Sequence, residues 1–182
     1  MVWKFRKRSC SLINLKKLVY LISPNKIHNN FYDDLKKVLS KKNVNFFQLR
    51  LKKIKKNKII KIAKKVRKIT KKYKVKLIIN DNINTAKIVN ADGCHLGQKD
   101  GSVIEAKKYL KNKIIGVTCH NSKSLAKIAV QNKADYLAFG SFNKSKLKPN
   151  AKKANLNILK WARKNIKKPI VAIGGINNLN YK

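Results

Sequence analysis

Short apolar runs alternate along this chain with segments whose apolar residues recur every three or four positions. The runs predict seven strands, and the segments between them predict amphipathic helices. The predicted strands are residues 18–23, 45–50, 76–80, 93–97, 114–118, 135–140 and 169–175. The predicted helices are 31–41, 57–73, 83–90, two that begin near Ser102 and Ser122, and 155–165. Such strict alternation indicates parallel βαβ units.

Polar residues follow six consecutive predicted strands. The strand ends read "QLRLK", "IIND", "HLGQKD", "GVTCH", "FGSFNKSKLK" and "AIGGI". A (β/α)8 barrel carries its chemistry at the C-terminal ends of several strands, whereas a doubly wound sheet concentrates it at one switch point. We therefore predict an α/β fold of the (β/α)8 TIM-barrel type over residues 18–182, preceded by a basic N-terminal extension over residues 1–17.

The end of the sequence is short for such a barrel. After "PIVAIGGI" only "NNLNYK" remains, which is too little for another helix and strand. We expect a barrel that lacks its eighth βα unit and is incomplete at the C-terminus. Because the eighth strand pairs with the seventh and the first, we also expect both of those strand edges to be unpaired.

The charge of the chain is extreme, with 46 Lys and Arg against 7 Asp and Glu and a formal net charge of +39. Clustered cations bind phosphate backbones, so a nucleic-acid-binding protein is one alternative. The lysines, however, are spread over every predicted helix, and no aromatic stacking motif is interleaved with them. A compositional bias explains the charge better, and we predict no specific nucleic-acid partner.

Membrane and redox signals are weak. No segment has the length and hydropathy of a transmembrane span. The three cysteines are odd in number and lack the spacing of a metal site, which is typical of reduced thiols. We predict a cytoplasmic protein without a membrane partner.

Five of the seven acidic residues have a structural explanation. They lie either at a predicted helix start or directly before a predicted strand: Asp33, Asp34, Asp92, Glu105 and Asp135. Asp81 and Asp100 remain, each directly beyond the end of one of two neighbouring strands. Two converging carboxylates suit Mg²⁺, which uses one or two carboxylates together with phosphate oxygens. The alternative is that Asp81 and Asp100 cap the helices that follow them.

Cations and glycines accompany the two acids. Gln48, Arg50 and Lys52 alternate at the end of the second predicted strand and point the same way. Arg binds phosphate through two N–H groups, and Lys supplies a compact charge. Lys148 could approach from the loop after the sixth strand, and the Gly174–Gly175 pair lets backbone N–H groups reach a phosphate. Together these residues indicate a metal-bound diphosphate and a second phosphorylated ligand.

The motifs "QLRLK", "IINDN", "ADGCHLGQKD", "GVTCH", "ADYLAFGSFNKSKLKP" and "AIGGI" follow one another within residues 48–176. In order and approximate spacing they resemble the thiamine phosphate synthase family, and the resemblance as a whole runs from about residue 18 to 176. The resemblance implies a transferase that joins a pyrimidine-methyl diphosphate to a thiazole phosphate, with release of pyrophosphate. These two small molecules are the partners that it implies.

The resemblance also implies roles for individual residues. It places Mg²⁺ on Asp81 and Asp100, and it makes Arg50, Lys52 and Lys148 the catalytic cations. The diphosphate would be held by Arg50, Lys52, Asn80 and Lys148. Gln48 and Thr118 would face the pyrimidine, and Ser145 and Gly175 would contact the thiazole phosphate. One departure is Leu147, which stands where the family usually has a second hydroxyl.

Two interpretations remain beside a synthase. A thiazole tautomerase-like barrel would lack coupling activity, but it would have no diphosphate for Arg50 and Lys52 to hold. The nucleic-acid-binding protein is the other. We expect His95 to be a packed or rim residue and Cys94 and Cys119 to be buried thiols. The sequence does not determine the oligomeric state.

Overall fold

The computed structural model describes residues 2–4, 17–143, 153–177 and 180. Its strands are β1 Val2–Lys4, β2 Lys17–Ile22, β3 Val44–Leu49, β4 Lys76–Asn80, β5 Gly93–Leu96, β6 Ile114–His120, β7 Tyr136–Phe139 and β8 Ile170–Ala172. Its helices are α1 Phe31–Ser40, α2 Lys56–Lys72, α3 Ile83–Ile88, α4 Val103–Leu110, α5 Lys123–Gln131 and α6 Asn157–Asn165. The seven predicted strands and six predicted helices are all present, with bounds shifted by a few residues.

The chain divides into two compact units. The central unit is Val19–Ile115, and the terminal unit combines Met1–Leu18 with Gly116–Lys182. In the central unit β2, β3, β4 and β5 pair in parallel in sequence order, with Phe47 opposite Leu77 and Ile79 opposite Cys94. The α/β class with parallel strands is therefore confirmed.

The core of the central unit is formed by buried apolar residues that follow one another within its strands. Leu77, Ile78 and Ile79 of β4 are each at most 1% exposed. Helices cover such strands, which explains why the sequence shows a continuous apolar run there and no alternation. In α2, Ile62, Val66 and their neighbours are buried while the lysines face outward. Each large aliphatic side chain buried in this way contributes about 1.5–3 kcal/mol.

Asp92 joins a helix to two strands at the start of β5. Its carboxylate accepts hydrogen bonds from Arg67 of α2 at 2.7 Å and from the backbone N–H of Leu77 at 2.8 Å. Lys76 lies 3.6 Å away. Asp92 thus satisfies a backbone donor and a half-buried guanidinium together, and the prediction that this acid stabilises the fold is confirmed.

In the terminal unit β6, β7 and β8 pair in parallel, with Val117 opposite Leu137 and Ala138 opposite Val171. The other edge of β8 is not free, because β1 pairs with it in the antiparallel direction through Trp3 opposite Val171. Our expectation of an unpaired edge on this strand is wrong. A three-residue strand such as β1 carries too little pattern to be predicted, since only its pairing with β8 defines it.

No helix in the described part of the chain is long and apolar enough to cross a membrane.

Candidate active site

Three parallel strands of the central unit bring the predicted phosphate and metal residues to one edge. Gln48 is the next-to-last residue of β3, and Asn80 ends β4 opposite His95 of β5. The N–H of Asp81 donates to the carbonyl of His95 at 2.8 Å, which extends the pairing by one residue. Parallel strands in register end at the same edge, so the residues that follow β3, β4 and β5 lie close together.

Asp81 and Asp100 do not cap the helices that follow them. The side chain of Asn82 accepts from the N–H of Thr85 at 2.7 Å and caps α3. The side chain of Ser102 accepts from the N–H of Glu105 at 3.0 Å and caps α4. Because both caps are supplied by other residues, the capping alternative is wrong and both carboxylates are left for another role.

The two carboxyl groups lie side by side, and the backbone helps to hold them. The carboxylate of Asp100 accepts from the N–H of Gly97 at 3.0 Å, and a Cβ on Gly97 would overlap that carboxylate. Burial raises the pKa of Asp100, and a hydrogen bond with Asp81 and the charge of Asp81 raise it further. The charge of Lys52 and the Gly97 N–H act in the opposite direction. Two adjacent acids of this kind attract a cation.

Lys52 is the cation that the structure places there. Its ammonium group forms an ion pair with Asp81. The Lys52 side chain is 43% exposed and that of Asp81 is 19% exposed. An amine on a half-exposed, flexible stem can leave Asp81 for a different anion, so this pair is not a rigid structural contact.

Arg50 is far more constrained than Lys52. It is only 9% exposed, and its guanidinium Nη1 donates to Oδ1 of Asn25 at 2.6 Å. Its backbone N–H donates to the hydroxyl of Ser23 at 2.9 Å. We had not predicted Ser23 and Asn25 as site residues. Their signal was present, because Ser23 ends the first predicted strand and Asn25 is a polar residue that follows it.

Gln48 carries a buried polar group that forms no hydrogen bond with the described residues. The residue is 2% exposed, and its Nε2 has no hydrogen-bond partner among the described residues. A buried amide without a partner is costly, by about 1–3 kcal/mol, so this group is suited to a ligand that supplies an acceptor. Asn80 is half-buried at the end of β4, two residues beyond Ile78, which lies opposite Gln48 in the sheet.

In the terminal unit, the loop after β7 and the turn after β8 are joined by backbone hydrogen bonds. Asn143 N–H donates to the carbonyl of Gly174 at 3.1 Å, and Phe142 N–H donates to that of Ile173 at 3.2 Å. Gly174 and Gly175 have φ of 87° and 67°, and a Cβ on Gly174 would overlap Ser141. Glycine is required for this approach.

The structure describes some of the other predicted residues and not the rest. Thr118 is half-buried in β6, where the pairing with β7 shifts register. Ser145, Leu147 and Lys148 lie outside the described residues, so their predicted roles stay predictions. The thiols of Cys94 and Cys119 are buried as expected, and burial raises the pKa of each to about 12. His95 is 6% exposed, so it is packed.

The donor set fits Mg²⁺ better than a metal that needs a protein cage. Within residues 2–4, 17–143 and the later described positions, no group of three or more His, Cys, Asp and Glu side chains could hold a metal. Mg²⁺ commonly uses one or two carboxylates and takes its other ligands from water and phosphate oxygens. The Asp81–Asp100 pair could supply the carboxylates of such a site.

Comparison with known proteins decides the family. A family model described as thiamine monophosphate synthase matches residues 19–182. The chain belongs to the thiamine monophosphate synthase family. A relative named thiamine-phosphate synthase, from Pelagibacter ubique, is 61% identical over 169 residues, which are 92% of this chain and 81% of the relative. Another of the same name, from Erythrobacter litoralis, is 40% identical and covers 87% of this chain and 76% of the relative.

Solved structures agree with this family assignment. The thiamine phosphate pyrophosphorylase of Pyrococcus furiosus matches with a TM-score of 0.79 at 30% identity, over 90% of this chain and 77% of that one. A truncated 3-deoxy-D-arabino-heptulosonate 7-phosphate synthase from Thermotoga maritima matches with a TM-score of 0.61 at 13% identity, over 88% of this chain and 67% of that one. The second likeness concerns the fold alone. The predicted synthase family is confirmed, and neither the tautomerase-like nor the nucleic-acid-binding alternative gains support.

Proposed function

We propose that this thiamine-phosphate synthase is Mg²⁺-dependent and condenses 4-amino-2-methyl-5-(diphosphomethyl)pyrimidine with 4-methyl-5-(2-phosphoethyl)thiazole. The products are thiamine phosphate and pyrophosphate. The observation that carries the proposal is the grouping of Arg50, Lys52, Asp81 and Asp100 at one strand edge. The group combines two cations for a diphosphate with two carboxylates for the metal that accompanies it.

The reaction needs charge neutralisation at the leaving group. The bond between the pyrimidine methylene carbon and the diphosphate oxygen breaks, and its electron pair leaves with pyrophosphate. Arg50 and Lys52 donate hydrogen bonds to the departing oxygens and stabilise the charge that develops there. Mg²⁺ bound by Asp81 and Asp100 would neutralise further charge on the same group.

The new bond forms without a nucleophilic side chain. The lone pair of the thiazole nitrogen attacks the methylene carbon and forms the C–N bond, and no proton is lost from either substrate. The chain therefore has only to position the two rings. Gln48 offers its free Nε2 to the pyrimidine, with Thr118 as a second contact. For the thiazole phosphate we propose Gly175 and Ser145, with Lys148 on the diphosphate.

The type of barrel and the cellular location are also part of this proposal. The parallel strands of both units and the 0.79 TM-score support a (β/α)8 barrel, while the missing eighth βα unit stays a prediction. The proposed location is the cytoplasm, which suits the free thiols of Cys94 and Cys119.

The test is to mix the purified chain with both substrates and to vary Mg²⁺. We expect thiamine phosphate and pyrophosphate in equal amounts and no product after chelation of the metal. Asp81→Ala and Asp100→Ala should each reduce turnover strongly, with partial recovery at high Mg²⁺. Asp34→Ala is the matched control, since Asp34 is an exposed acid at the start of α1. Normal turnover of both site variants at limiting Mg²⁺ would contradict the metal assignment.

A further inference from the structure

The backbone of Arg50 is fixed by the residue that follows β2. The hydroxyl of Ser23 accepts from the Arg50 N–H at 2.9 Å and lies 3.4 Å from the Arg50 carbonyl oxygen. The N–H of Ser23 donates to the carbonyl of Gln48 at 2.9 Å. Ser23 is 2% exposed, so these bonds are shielded from water. The start of the Arg50 side chain is therefore held in one place beyond the end of β3.

The far end of the same side chain is held by a neutral group. Oδ1 of the half-buried Asn25 accepts from Nη1 of Arg50 at 2.6 Å. The guanidinium, in a residue that is 9% exposed, has no ion-pair partner among the described residues. A guanidinium has five N–H donors in a fixed fork, and the bond to Asn25 uses one of them.

We propose that Ser23 and Asn25 are positioning residues that aim Arg50 at the diphosphate, and that Asn25 does so through a neutral oxygen in order to leave the charge of Arg50 available. This inference rests on the proposed function. An aspartate at position 25 would satisfy the same N–H donor and would also pair with the positive charge. The diphosphate would then compete with a built-in anion for the guanidinium.

The experiment compares Asn25→Ala and Asn25→Asp with the parent chain. The first readout is the affinity for pyrophosphate with Mg²⁺, measured by calorimetry. The second is the rotation rate of the Arg50 guanidinium in the ligand-free protein, measured by NMR. Asn90→Asp is the matched control, because Oδ1 of Asn90 also accepts from a cation, Lys113, but Asn90 is exposed and belongs to no proposed site.

We expect Asn25→Ala to speed the guanidinium rotation and to weaken pyrophosphate binding about tenfold, the cost of a lost hydrogen bond to a charged group. Asn25→Asp should keep the rotation slow and yet weaken binding by at least as much. Asn90→Asp should change neither quantity. A residue that served the fold alone would give equal pyrophosphate affinity in all four proteins.

The outcomes separate this inference from the proposed function. Parental pyrophosphate affinity in Asn25→Asp would overturn the role of a neutral acceptor. Unchanged rotation and unchanged binding in Asn25→Ala would overturn the positioning itself. If Asn25→Ala frees the guanidinium but the parent chain binds no pyrophosphate with Mg²⁺, the positioning of Arg50 is supported and the proposed function fails.

Discussion

Replacing Lys52 by Met should change the affinities for metal and for pyrophosphate in opposite directions. In the ligand-free protein the Lys52 ammonium is paired with Asp81, so a metal ion that binds Asp81 would have to displace it. In the proposed function, the same ammonium is one of the groups that hold the diphosphate. Lys52→Met therefore removes a competitor of the metal and a partner of the diphosphate together.

The size of each change follows from exposure. Lys52 is 43% exposed, and solvent-exposed ion pairs of this kind are worth about 0.2–1 kcal/mol. Loss of the pair should tighten metal binding up to about fivefold. A hydrogen bond to a charged group contributes about 1.5–3 kcal/mol, so pyrophosphate should bind about tenfold to a hundredfold more weakly.

Metal affinity can be measured with Mn²⁺ as a substitute for Mg²⁺, by the paramagnetic resonance of the free ion. Lys53→Met is the control, because Lys53 is the exposed neighbour of Lys52. This substitution removes the same charge but breaks no ion pair to Asp81. Equal tightening in both variants would mean that general repulsion acts on the metal, and not competition for Asp81. Unchanged Mn²⁺ affinity in Lys52→Met would refute the reasoning outright.

Three further predictions concern polar groups that are buried or half-buried. Gln48→Leu removes an unpartnered buried amide, so it should raise the unfolding free energy by about 1 kcal/mol while the KM for the pyrimidine substrate increases; a fall in stability would contradict this. Asp100 has a raised pKa, so the folded state binds its proton more tightly than the unfolded chain, and metal-free stability should fall as pH rises from the usual carboxyl range through that pKa. Urea unfolding of Asp100→Asn should lack that component, and an identical pH profile would count against it. Asp92→Ala leaves the N–H of Leu77 and the Arg67 guanidinium without their acceptor and should cost about 3 kcal/mol in urea unfolding, with pyrophosphate affinity unchanged; a loss below 1 kcal/mol would refute the role of Asp92.

The strands and helices were predictable because each satisfies a local rule. Buried parallel strands such as β4 are continuous apolar runs, and α2 buries residues at helical spacing. The helix predicted to begin near Ser102 is α4, and the hydroxyl of Ser102 accepts from the N–H of Glu105 at its start. β1 was missed because three residues carry no periodicity, and its partner β8 is far away in sequence.

The residues of the candidate site were predictable from the sequence, but the contacts between them were not. Polar residues at strand ends identified Gln48, Arg50, Asp81 and Asp100, but spacing alone could not separate a metal ligand from a helix cap. Asn82 excludes the cap for Asp81, since Asn82 stands beside Asp81 and provides the cap itself. The role of Asp81 as a metal ligand stays a proposal. Asn25 was not predicted for a related reason. Its hydrogen bond joins it to Arg50, 25 positions away, and depends on how β2 and β3 pair.

The placement of acids in so basic a chain bears on what the site binds. Asp33 pairs with Lys36, and Asp92 pairs with Arg67, so each compensates a nearby positive charge. Asp81 and Asp100 instead lie against each other. The pKa of Asp100 is raised, first by burial and then by the hydrogen bond with Asp81 and the charge of Asp81, so the ionised form of Asp100 opposes folding. With a net charge of +39, separate acids would relieve more repulsion between lysines than two adjacent ones. The arrangement therefore costs stability in the free protein, and the single ammonium of Lys52 offsets only part of that cost. A divalent cation would offset more of it and would release Lys52 to the diphosphate, so metal and diphosphate should each strengthen the binding of the other.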